Sequence, residues 1–274
     1  MTDAAEAGAG TGGQAGKGRV LVLALAVLAL ASGVLLLFAG PVLFRTGIVD
    51  LDTARTGMPD ISMYVMAAAG GLAFIGLAWA LFGKKHRAAI VAVLVMLAAG
   101  VGGGSLYAQS VMRDELPPIN DVQTDWARPV AFSERALQLR ERAGAIRVRD
   151  DAMIPEGDSR WSGMSFAKAQ SEFYDDIVPL KVKQGVADAT VAASHAAKRL
   201  GWDVLVENPP DGMVEAVYHS PWYDLAYDIA VRVTPDGSGS RIDVRSTSRN
   251  PGGDLGENAI QVKQLIDEIS LQLR

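Results

Sequence analysis

Three apolar runs constrain this chain more than any other feature of it. They occupy residues 20–44, 61–82 and 88–107, and none contains Asp, Glu, Lys, Arg or His. A helix needs roughly 20 apolar residues to cross the hydrocarbon core of a bilayer, and each run is long enough. Trp79 and Tyr107 stand near run ends, where amphipathic rings favour the membrane interface. Charges inside a membrane usually mark ion paths, so their absence from the runs reads as an anchor rather than a transporter. The Ala29-Leu30-Ala31 triplet mimics a signal-peptide cleavage box, but the apolar run continues past it through Leu37 and Phe38, and the segment is expected to be retained.

The placement of Lys and Arg sets an expected orientation. Lys17 and Arg19 precede the first run, and Lys84, Lys85 and Arg87 crowd the short loop between the second and third. Arg45 and Arg55 are diluted over the longer first loop. The positive-inside rule then places the N-terminus and the short loop in the cytoplasm, and everything after the third run on the far side. Small-residue pairs, Gly100 with Gly104 and Ala67 with Gly71, have the spacing that lets helices approach closely and so offer a route to a homo-oligomer.

Four stretches follow from this reading: a Gly/Ala-rich disordered leader (1–18), a three-helix transmembrane anchor (19–108), an irregular segment wrapping on a core (109–175) and an α+β core (176–274). The net charge of −5 and the lack of a long basic block argue against nucleic acid as a partner. Absence of cysteine removes disulfides, thiol nucleophiles and thiolate metal sites.

The irregular segment carries two helix starts, Ser133 before "ERALQLRERAG" and Ser165 before "FAKAQSEFY". Trp126, Phe132, Trp161, Phe166 and Phe173 punctuate it. Beyond residue 176 the periodicity is regular. A strand at 177–184 precedes a helix with Ala189, Ala193 and Ala197 on one stripe and Gly201 as its stop. Four strands follow, one alternating Leu225, Tyr227, Ile229, Val231 and Val233, with "PDGSGS" as a hairpin turn before the last. A final helix steps through Ala259, Val262, Ile266 and Ile269. This order implies an antiparallel sheet with both core helices on one face, an α+β domain after three transmembrane helices.

The densest cluster of polar chemistry is "RSTSRNPGGDLGEN", residues 245–258. Ile242 and Val244 must face the helices, so Ser246 and Ser248 share that face while Arg245 and Arg249 point away. Asp254 and Glu257 have the spacing of a capping box, and Gly256 permits close backbone approach. Two readings stand. In one, helix amides and Arg249 hold a phosphate or carboxylate, with Arg245, Ser246, Ser248, Arg249, Asp254, Gly256 and Asn258 as the site. In the other the cluster is structural, with the serines satisfying Asn258 or the helix start and Arg249 paired with an acid such as Asp254.

Three segments, "PPINDVQTDWARPVAF", "QSEFYDDIVPL" and "VRSTSRNPGGDLGENA", resemble in their order the bacterial domain of unknown function 1499 family, in its membrane-linked branch. The resemblance covers residues 116–274. Arg245, Ser246, Ser248, Arg249, Asp254, Leu255, Gly256 and Asn258 are the family-like positions, while Asp175 stands where the family has a proline. What it implies is a fold and a signature, with no known catalytic activity; no cofactor is expected. A protein of the bacterial inner membrane with a periplasmic domain is then expected.

No other motif commits the chain to a reaction. His86, His195 and His219 are too scattered for a metal site, and no Gly-x-Ser-x-Gly elbow is present. Asp150-Asp151 and Asp175-Asp176 read as solvated loop charge. The leading expectation is a non-catalytic binding or scaffolding module. Its partner, an envelope protein or lipid headgroups, would meet a polar exposed sheet face bearing Asp228, Arg232, Arg241, Asp243 and Arg245. The alternatives are an envelope hydrolase using His219 with a carboxylate, and a carrier of a lipid or anion.

Overall fold

A computed structural model describes residues 16–157 and 159–274 in full, and residues 3–15 only as part of the first helix. Most of the leader expected to be disordered therefore lies outside the fully described residues. The chain divides into two compact units, residues 1–114 and 115–274.

The first unit is helical: α1 (Asp3–Arg45), a π-helical turn (Thr53–Gly57), α2 (Met58–Phe82) and α3 (His86–Glu115). Residues 16–45, 53–82 and 86–115 each make a 30-residue helical stretch apolar enough to cross a membrane. At about 1.5 Å per residue each is roughly 45 Å long, more than the roughly 30 Å hydrocarbon core requires. Ala26, Ala73 and Val95, one from each helix, form the buried centre, with Leu30, Leu72 and Met96 packed around it. Close approach of α1 to α2 uses Gly33, whose carbonyl accepts a 2.7 Å bond from Ser62 Oγ, and Gly76, which lies against Leu23. By contrast a Cβ added at Gly71, Gly100 or Gly104 would meet nothing within 4 Å among the described residues, so no close packing there requires glycine.

In the second unit the elements are β1 (Asp121–Gln123), α4 (Glu134–Arg142), α5 (Phe166–Phe173), β2 (Leu180–Val182), α6 (Val186–Arg199), β3 (Asp203–Asn208), β4 (Met213–His219), β5 (Ala226–Asp236), β6 (Gly239–Ser248) and α7 (Glu257–Gln272). The sheet runs β1-β6-β5-β4-β3, and β2 also pairs with β6. Every pairing is antiparallel. One edge of β6 is thus shared: β1 pairs Asp121–Gln123 with Thr247–Arg245, and β2 pairs Leu180–Val182 with Ile242–Ser240. The α+β class stands as read from the sequence. The strand expected at 177–184 is shorter, and β1 was not anticipated.

Alternation explains the core. Tyr227, Ile229, Val231 and Val233 of β5 are buried, with Ile242 and Val244 of β6, against the Ala189/Ala193/Ala197 stripe of α6 and Ala259, Val262, Leu265 and Ile269 of α7. α4 begins where expected, with Ser133 Oγ accepting from Ala136 N at 3.2 Å. Its cap is held in turn by buried Glu215, whose carboxylate accepts from Ser133 N at 2.5 Å and Ser133 Oγ at 2.6 Å.

Candidate functional site

Strand parity splits the 245–258 cluster into two environments. On the helix face, Ser246 Oγ lies 2.7 Å from Asn258 Oδ1 and 2.5 Å from Gln261 Oε1, all three residues being buried. A hydroxyl has one proton to donate, so one of these amides presents its NH₂ to Ser246 and the other its oxygen. Asp254 supplies the helix cap from two residues before the N-cap position. Its carboxylate accepts from Gly256 N at 3.0 Å and Asn258 N at 2.5 Å. The chain reaches that geometry through Leu255 and Gly256, both left-handed at φ +59° and +85°. Glycine suits the second position because it bears no Cβ to clash there. Ser248 Oγ donates to Asn250 O at 3.1 Å.

Arg245 lies on the opposite face and is 1% exposed. Its Nε and Nη2 reach Asp121 at 2.9 and 2.6 Å, and Nη1 reaches Asp150 at 2.7 Å and the Val130 carbonyl at 3.0 Å. Burial pushes the Asp121 carboxyl above its ordinary pKa, against the pull of the Arg245 guanidinium. Arg249 grips Asp228 through Nε at 2.8 Å and Nη2 at 2.7 Å. The same carboxylate accepts from Arg140 of α4 at 2.5 Å, and Arg140 also holds the carbonyls of Ile146 and Ser248 at 3.0 and 3.1 Å. Burial lowers the pKa of Arg140 against the attraction of Asp228. A third group joins Asp243 to Arg241 at 2.9 Å and Arg232 at 3.1 Å, with Arg241 reaching Asp125 at 2.5 Å.

These contacts correct the expectation of an exposed polar sheet face. Asp228, Asp243 and Arg245 are 3%, 0% and 1% exposed, because residues 120–150 fold over that face and bring Asp121, Asp125, Arg140 and Asp150 onto it. The expected Arg249–Asp254 pairing is replaced by Arg249–Asp228, since the two residues belong to different faces. Asp150, read as solvated charge, gives one oxygen to Arg245 while its side chain stays 59% exposed. Of the residues read as an anion site, Ser246, Asp254, Gly256 and Asn258 come together beside α7, whereas Arg245 and Arg249 sit across the sheet.

Gln123 and Gln170 were missed altogether. Gln170 on α5 acts as a substitute strand: its amide oxygen accepts from Gln123 N at 3.1 Å and from Trp126 Nε1 at 2.7 Å, and its NH₂ donates to Gln123 O at 2.7 Å. This satisfies the free edge of β1. Both glutamines lie in segments that carry the family resemblance, which was the available signal.

Beside Asp121 is an opening of about 190 Å³, lined by Asn120, Asp121, Ile146, Arg147, Arg149, Ala152, Met153, Phe166 and Thr247. Arg147 is exposed, and Arg149 reaches Asp151 at 3.0 Å. Elsewhere, His219 Nδ1 lies 3.2 Å from Asp224 Oδ1, with both side chains about half exposed at 47% and 60%.

A sheet with two helices on its core face and a charged, chain-wrapped second face defines an α+β domain of structural Arg–Asp clusters. The family model described as "Protein of unknown function (DUF1499)" matches residues 121–269, more than half of the chain, and the chain belongs to that family. A search of curated proteins found no match.

Proposed function

We propose that this chain is a membrane-anchored binding or scaffolding protein. Three helices hold its DUF1499 domain on the extracytoplasmic side of a bacterial inner membrane, and the domain receives an acidic group of an envelope partner. The observation that carries this reading is the opening beside Asp121, lined by the exposed Arg147, by Arg149, which pairs with Asp151, and by the apolar Met153 and Phe166. At about 190 Å³ it is smaller than the roughly 300–1,000 Å³ of drug-sized ligand sites, and it suits one side chain rather than a whole cofactor. Arginine is the side chain best shaped for a carboxylate, and aliphatic neighbours desolvate such a contact. Arg245 and Arg249 support the fold instead of contacting a ligand, because their donors are taken by Asp121, Asp150 and Asp228.

Site-directed photocrosslinking from position 153, in the full chain in intact membranes, tests the proposal. A discrete adduct is expected, and Arg147→Glu should reduce its yield at least tenfold. An adduct indifferent to that charge reversal, or none, refutes it. One observation favours the hydrolase alternative, the His219–Asp224 pair. Its exposed position on the β4–β5 hairpin argues for an ordinary surface contact.

A further inference from the structure

The helical unit carries opposite electrostatic characters at its two ends. One end holds Lys17, Arg19, Lys84, Lys85 and Arg87, and no Asp or Glu occurs in residues 7–49 or 61–113. At the other end Arg45, Arg55 and Arg113 are mixed with Asp50, Asp52, Asp60 and Asp114, and Arg113 pairs with Asp60 and Asp114. The cations of the first end are gathered by packing as well as by sequence. The α2–α3 connection is only Gly83-Lys84-Lys85. A Cβ at Gly83 would lie 3.2 Å from Arg19 Nη1 and 3.7 Å from Lys85 Cγ, so the Arg19 guanidinium and the Lys85 stem flank the same backbone position. Gly18 rests on the Trp79 ring, whose nearest atom would be 3.3 Å from an added Cβ, which seats the start of the α1 span against the end of α2.

Two further features leave this cluster unsatisfied. Arg19 Nε is buried and makes no hydrogen bond among the described residues. Lys84, Lys85 and Arg87 are exposed, and no acidic residue stands in the first turn of α3, whose N-terminal amides emerge beside them. A helix N-terminus, several cations and a tryptophan, meeting at the end of three apolar helices, have the complement of a lipid phosphate: positive charge, amide donors and an interfacial ring.

We infer that this end of the helical unit is a binding site for an anionic phospholipid headgroup, with Arg19 and Lys85 as its central contacts and Lys84 and Arg87 at its rim. Glycine at position 83 keeps the space between the two cations open, since any side chain there would press on Arg19. The site rests on the spanning reading of the helices and is independent of the opening in the DUF1499 domain.

The test uses the full chain in lipid nanodiscs containing equal phosphatidylglycerol and phosphatidylcholine, with native mass spectrometry of the lipids retained on release. Phosphatidylglycerol should be retained at least fivefold over phosphatidylcholine. Arg19→Gln combined with Lys85→Gln should abolish it, and Lys85→Gln with Arg87→Gln, both exposed positions, should reduce it without touching the packed Arg19. Arg45→Gln, at the opposite end, should leave it unchanged. Equal retention of the two lipids, or a preference that survives the Arg19/Lys85 variant, overturns the inference. Failure of the chain to enter the disc overturns the spanning reading, and this site with it.

Discussion

Replacing Arg245 by Met removes the cation from a buried pair while keeping most of the side-chain volume. Asp121, 2% exposed, then keeps only backbone and solvent-poor surroundings, and Asp150 and the Val130 carbonyl lose their donor as well. Breaking a buried ion pair from one side costs about 3–5 kcal/mol, because an uncompensated charge is left behind. That is a large share of the roughly 5–15 kcal/mol stability of an ordinary domain. The loss should depend on pH with a definite sign. Burial already pushes the Asp121 carboxyl up, and without Arg245 it rises further. A carboxyl whose folded pKa exceeds its unfolded value binds a proton in the folded state that the unfolded state has released. Stability of the variant should therefore fall as pH rises from the ordinary carboxylate range through the raised value. The assay is urea denaturation followed by tryptophan fluorescence, since the Trp126 ring centre lies 5.9 Å from the Arg245 guanidinium carbon. Arg245→Met should be less destabilised at pH 5 than at pH 7.5, and adding Asp121→Asn should recover at least half of the loss. A loss under about 1 kcal/mol, or a double variant no better than the single, would refute a structural Arg245.

Asp254→Ala removes both cap acceptors of α7 and should cost about 1–2 kcal/mol by the same denaturation assay. Arg249→Ala should lower the melting temperature without abolishing the crosslink from position 153, because Arg249 spends its donors on Asp228. Lys198 and Ser194 hold the Glu207 carboxyl below its usual range. Its contribution is present above the ordinary carboxylate pKa and lost as pH falls through the lowered value, and Glu207→Gln should flatten that acid limb by less than about 1 kcal/mol given the exposure of the pair.

Much of the fold is legible in residue spacing because its driving force is apolar periodicity. The alternation of Tyr227, Ile229, Val231 and Val233 in β5 and the alanine stripe of α6 place the core, and parity alone puts Ser246 against α7, where it meets Asn258 and Gln261. Parity says which way Arg245 and Asp243 point, but it cannot say what lies above them. The cover comes from residues 120–150, a stretch with two short regular elements, and its attachment is by ion pairs rather than by a hydrophobic stripe. Matching of charges held the missing signal: Arg232 and Asp243 are cross-strand partners, and the acids Asp121, Asp125 and Asp150 answer the arginines of β6. The opening near Asp121 depends on where residues 146–153 settle over the sheet, which no local pattern encodes.

Whether the domain lies across a membrane from the basic loop can be read by cysteine labelling, because the chain has no cysteine of its own. Single cysteines at Lys84, in the α2–α3 connection, and at Ser238, exposed in the β5–β6 turn, give two clean reporters for a membrane-impermeant maleimide. On intact spheroplasts the account requires Ser238→Cys to label at once and Lys84→Cys to label only after permeabilisation. The reverse pattern would contradict the orientation, and labelling of both positions on the same side would contradict a crossing by α3.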